Sequence, residues 1–163
     1  MKNLRDLVLG AVVSIEFLLI CIGIGIITWA PGLLGQAGSS LKSNKEAFQW
    51  LSIACVGVLV FSLRWAHEIL VPTHEQSAAL ADWPGFYMVK NRTLVGVCYV
   101  VAGTCAAIAI WIFGIDIRES KASAIYCTGV CIVMTSAFTL WYASIQLGIR
   151  LRHVRSKPKA ESQ

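Results

Sequence analysis

Long apolar runs alternate with short polar ones along the whole chain. Four runs stand out, at 7–30, 48–71, 94–115 and 122–149. Crossing a hydrocarbon core of about 30 Å takes about 20 apolar residues in a helix, and each run is long enough. None alternates at the two-residue period of a strand, and each is too continuous for a strand of an outer-membrane barrel. Lipid offers the backbone no hydrogen-bond partner, so the runs predict helices. The expectation is an all-α membrane protein, with four transmembrane helices in an antiparallel up-down bundle. The last run exceeds the span length and predicts either tilt or an extension into the cytosol.

Lysine and arginine near the ends of the runs set the orientation. With the N-terminus inside, the cytoplasmic side carries Lys2, Arg5, Lys90, Arg92 and the cluster Arg150, Arg152, Arg155, Lys157 and Lys159. The other side carries Lys42, Lys45, Arg118 and Lys121. This asymmetry predicts both termini in the cytoplasm. Trp29, Trp50, Trp111 and Tyr126 would then mark the outer interface, and Trp65, Trp141 and Tyr142 the inner one.

The polar intervals divide the chain further. Residues 1–149 read as one transmembrane domain and 150–163 as a basic cytoplasmic tail. The first outer interval, 31–47, holds Gly32, Gly35, Gly38, Ser39 and Ser40 and reads as an irregular connector. The second, 116–121, reads as a tight turn. In the cytoplasmic loop 72–93, Pro72 ends the second helix, and Thr73-His-Glu-Gln76 fits a capping box opening a short helix to about Asp82. The aromatic stretch Trp83-Pro-Gly-Phe-Tyr-Met88 then suits the headgroup region. Lys2, Arg5 and the run behind them resemble a signal peptide in outline. The run is longer than the 7–15 residues of a signal core and contains Glu16, which predicts a retained helix.

Composition sharpens this picture. Hydrophobic residues make up 56% and charged residues 14% of the chain, against about 25% charged in soluble domains. The net charge of +5 is concentrated after the last span. There it reads as an orientation signal facing anionic lipid, and no nucleic-acid partner is expected. The six cysteines Cys21, Cys55, Cys98, Cys105, Cys127 and Cys131 all lie within predicted spans, with no C-x-x-C spacing. That argues against a disulfide framework and a paired-cysteine oxidoreductase.

Ionisable residues inside the spans are the candidates for function. Glu16 lies thirteen residues from Trp29, and Arg64 fourteen from Trp50. At 1.5 Å per residue both sit roughly 20 Å below the outer interface. Their equal depth predicts an ion pair. His67 and Glu68 follow one turn after Arg64, and Tyr99 in the third span is about level. The predicted polar layer is therefore Glu16, Arg64, His67, Glu68 and Tyr99. It has two readings: a lock on helix register, with Arg64 free to snorkel toward headgroups, or a site coupled to an ion, proton or ligand.

Motifs for chemistry are thin. His67-Glu68 and His74-Glu75 are separated by Pro72 and do not form H-E-x-x-H. One histidine within a span does not suit a bis-histidine haem. No metal, catalytic group or cofactor is expected. Small residues do recur at helix-packing intervals: Gly96, Gly103, Ala107 and Gly114 in the third span, Ser144 and Gly148 in the fourth. They suit the bundle itself, a homo-oligomer or a partner membrane protein. The leading expectation is a small, non-enzymatic accessory or interaction subunit in a bacterial cytoplasmic (inner) membrane. The alternatives are a small oligomeric transporter or channel using Glu16, and a membrane enzyme on a lipid-linked substrate, for which His67, Glu68, His74 and Glu75 would have to converge.

Family likeness is confined to single helices. Glu16, midway along the first of four spans, resembles the small multidrug resistance transporters, although those chains are shorter and lack an arginine placed like Arg64. Gly57, Arg64 and His67 resemble the second span of the small membrane subunit of tripartite ATP-independent periplasmic transporters. Neither likeness assigns a functional residue.

Overall fold

The computed structural model describes residues 14–71, 86–117 and 119–156, with side chains as far as 149. These residues are helical apart from short breaks: α1 (Ile15–Trp29), α2 (Pro31–Ser43), α3 (Lys45–Leu70), α4 (Phe86–Ile112) and α5 (Ser120–Ser156). Three helices are long and apolar enough to cross a membrane, namely α3, α4 and α5 over Ser120–Ile149. A fourth span is present if α1 and α2, bent by 103° at their junction, count as one.

Two polar intervals differ from expectation. The interval 31–47 is helix α2 followed by the start of α3. Pro31 occupies the first turn of α2, where a missing N–H costs nothing and the fixed φ suits a helix. The Ser39 and Ser43 hydroxyls donate to the carbonyls of Gln36 and Ser40. Glycine and serine density looked like a loop because their propensities are weak. Tertiary contact overrides them, since Leu34 and Gly38 are buried where α2 docks against α5. Gly38 lies so close to the Ile117 carbonyl that no side chain fits there. The second difference is in the expected loop 72–93, whose end, from Phe86, already belongs to α4. The capping-box helix at 73–82 and the first part of the predicted span 7–30 fall outside the described residues.

Helix α5 is the hub and packs against α1, α2, α3 and α4. Helices α3, α4 and α5 also pack on one another and enclose the core, around Cys55, Val100, Ala107, Tyr126, Val133 and Leu140. At the α4–α5 crossing, Gly103 and Gly129 face each other so closely that a Cβ on Gly103 would stand 2.8 Å from the Gly129 carbonyl oxygen. The stripe Gly96, Gly103 and Ala107 is consumed by this contact. Gly114, at φ +61°, instead turns the chain out of α4. Tyr126 is not an interfacial anchor. It is fully buried, its ring 4.8 Å from that of Phe48, and its hydroxyl is 3.1 Å from Ser52 Oγ and donates to the Phe48 carbonyl at 3.3 Å. Those partners allow the phenol to leave the headgroup region for the core.

Helix α1 is held differently. It lies against α5 and makes at most marginal contact with α3 or α4. A furrow floored by α5 is left between α1 and α4.

Candidate functional site

Helix α1 is capped by Ser14, whose backbone is extended and whose side-chain oxygen accepts the Phe17 amide at 3.2 Å. Glu16 follows in the first turn, where the helix dipole favours negative charge. Its side chain points into the bundle, is 5% exposed, and accepts a hydrogen bond from Ser136 Oγ at 3.2 Å. That bond is longer than the 2.5–2.7 Å usual for a hydroxyl on a carboxylate.

The expected Glu16–Arg64 ion pair does not form. The Arg64 side chain is 76% exposed and points away from the bundle, with Glu68 at 3.9 Å one turn along α3. Equal depth did not imply contact, because depth says nothing of azimuth or of which helix lies beside which. Helix α1 chose α5 as its neighbour, and α3 turns Arg64 outward. His67 is also exposed. The expected layer is therefore split. Glu16 lies on the α1–α5 side, Arg64, His67 and Glu68 lie on the open face of α3, and Tyr99 lines the furrow. His74 and Glu75 lie outside the described residues, as does any convergence with His67 and Glu68.

Glu16 faces a cavity of about 380 Å³ between α1, α4 and α5. Arg92 and Thr93 of α4 and Phe138, Thr139, Tyr142 and Gln146 of α5 share its wall. The Gln146 amide donates to the Tyr142 hydroxyl at 2.9 Å, and the Thr139 hydroxyl donates to the Ser136 carbonyl at 2.8 Å. Further along the same furrow is a second cavity of about 230 Å³, with Ile20, Ile24 and Ile27 on one wall and Ala102 and Ala106 on the other.

Sequence reasoning missed Ser136, which depth counting would have suggested. It lies fourteen residues into the fourth run, roughly 21 Å below its start and so near the level of Glu16. Arg92 and Tyr142 were read only as orientation and interface markers. Nothing in their spacing announces that they share a wall with Glu16. Among the described residues, no group of three or more histidine, cysteine, aspartate or glutamate side chains is placed to hold a metal ion.

Comparison with known protein families, curated proteins and solved structures finds no match for this chain.

Proposed function

We propose that the chain is a small, multi-pass protein of a bacterial cytoplasmic (inner) membrane that works by association, as a non-enzymatic accessory or interaction subunit. Its four spans run up and down in antiparallel order, with both termini in the cytoplasm. Pairwise contacts support that order. Gly96 meets Leu140 and Gly103 meets Gly129, so α4 and α5 run oppositely. Glu16 meets Ser136, and Gly23 meets Thr128, so α1 also runs against α5. Phe48 meets Tyr126, and Ile69 packs with Leu147, so α3 runs with α5.

The observation that carries the reading is the uneven use of the helices. Helix α3 buries 17% of its apolar stretch within the chain, α4 39% and α5 50%. The uncovered side of α3, which includes Val56, Val60 and Phe61, is the surface a second copy or a partner membrane protein would cover in place of lipid. The test is cross-linking in native membranes, with Val60→Cys introduced into a cysteine-free version. A discrete cross-linked species is expected. A clean monomer that carries out flux alone would overturn the proposal.

The buried Glu16 carboxyl favours a second reading, an oligomeric transporter or channel with Glu16 as the coupling group. Under it, Glu16→Gln abolishes proton-linked flux in proteoliposomes while the helical content stays unchanged. Flux that survives the substitution removes this reading.

A further inference from the structure

The furrow between α1 and α4 is chemically two-ended. At one end lie Glu16, Arg92, Tyr142 and Gln146. At the other, isoleucines of α1 face alanines of α4 over a floor that includes Gly103 and Gly129. The two ends adjoin. Glu16 and Ile20 are one turn apart on α1, Gly96 and Tyr99 one turn apart on α4, and Ser136 lies one turn from both Ile132 and Leu140 on α5. From Arg92 to Ala106 the furrow follows α4 for roughly 21 Å. That exceeds the depth of one leaflet, half of a hydrocarbon core of about 30 Å.

We propose that this furrow seats a single-chain phospholipid: phosphate on Arg92, free glycerol hydroxyl on Glu16, acyl chain laid between α1 and α4. It stands independently of both functional readings above, since it needs only the furrow. Each part of the ligand answers a feature of the wall. Arg92 is exposed at the polar end, and among the described residues no carboxylate lies within 4 Å of it. A guanidinium so placed matches a phosphate through paired N–H donors. The Tyr142 hydroxyl accepts from Gln146, which leaves its own proton to donate to the same headgroup.

Among the described residues, the Glu16 carboxyl has one donor, Ser136, at 3.2 Å, and no cationic side chain within 4 Å. Its oxygens can accept several hydrogen bonds, and a buried polar group left short of partners is costly. A hydroxyl on the membrane side of the phosphate would supply the missing donor. A one-chain phospholipid has a glycerol hydroxyl on the membrane side of its phosphate, whereas a two-chain lipid has an ester there that donates nothing. The apolar end, about 230 Å³ between its isoleucine and alanine walls, suits one chain. Both cavities lie between α1 and α4, so the ligand would arrive sideways from the bilayer.

The experiment measures binding to the purified full-length chain in a maltoside detergent by native mass spectrometry. The probes are 1-palmitoyl lysophosphatidylglycerol, its 2-deoxy analogue, dipalmitoyl phosphatidylglycerol and palmitate. The lysolipid is expected to bind most tightly, with the deoxy analogue weaker by about tenfold, the equivalent of one hydrogen bond. Arg92→Gln should weaken the lysolipid by at least about tenfold on the same grounds. Glu16→Ala should weaken the lysolipid but not the deoxy analogue. Equal binding of lysolipid and deoxy analogue by the native chain overturns the hydroxyl contact without any variant. Equal binding of palmitate overturns the phosphate contact, and equal binding of the two-chain lipid overturns the single-chain seat. Folded variants that bind the lysolipid like the native chain overturn the site.

Discussion

The two sides of α5 are built on different terms. On one side, α3 and α4 close around it, glycine against glycine, with Tyr126 buried and bonded. On the other, α1 packs on α5 and on the adjoining α2, with at most marginal contact to α3 or α4, and leaves a furrow with polar groups in its wall. The closest approaches show the difference at atomic scale. A Cβ at Gly103 meets a backbone carbonyl, which cannot yield without moving a helix. A Cβ at Gly23 of α1 meets the Thr128 side chain, which can rotate, on a helix held from one side only. Packing in lipid depends on such approaches, because helices there gain little by leaving an equally apolar solvent. The sealed side therefore carries the stability, and the open side is free to carry a site.

That contrast is open to direct attack. The largest effect is expected from Gly103→Val, at about 3 kcal/mol, the upper part of the usual overpacking range. Gly23→Ala should cost clearly less, about 1 kcal/mol, since both the threonine and α1 can shift. Unfolding of both variants in mixed micelles measures the gap, and equal losses would erase the distinction between the two sides. Gly38→Ala falls between the two. It should undock α2 from the Ile117 carbonyl at about 1–2 kcal/mol, read as faster proteolysis within 31–45, with α3–α5 unchanged.

Smaller effects sharpen the picture. Tyr126→Phe removes the phenol from Ser52 and the Phe48 carbonyl and should cost about 1 kcal/mol by the same unfolding assay. The smallest effect belongs to Lys42→Gln. The Lys42–Asp116 bridge is 2.8 Å long, but its side chains are 39% and 56% exposed. An exposed pair contributes well under about 1 kcal/mol, and less at high salt. A large loss there would mean that α2 is pinned by charge rather than by the Gly38 contact.

How much was legible in the sequence differs by residue. The second, third and fourth apolar runs reappear as α3, α4 and α5, because hydropathy over a span is a local property. Glu16 was visible as a carboxyl in a span, and it is buried. Its partner was not legible. Arg64 was a plausible choice by charge and depth, yet Ser136 holds the carboxyl, since facing positions depend on how each helix is rotated about its axis. Helix α2 was hidden for another reason. Glycines and serines carry little helical signal of their own, and it is docking at Leu34 and Gly38 that organises them. Tyr126 misled by type, because a tyrosine near a span end is as suited to a headgroup as to a core that can bond its hydroxyl.

Hydropathy along the chain was enough to show helices, enough apolar length for a membrane and where the long helices lie. Those properties follow from the free energy of residues against lipid, summed along one stretch. Which helix neighbours which was settled by the packing. It sealed three helices around Tyr126, set α1 apart against α5 and turned Arg64 outward. It also opened the furrow that brings Glu16 and Arg92 to one wall. Those outcomes rest on contacts between residues far apart in the chain, where a single glycine facing a single carbonyl settles how closely two helices can meet.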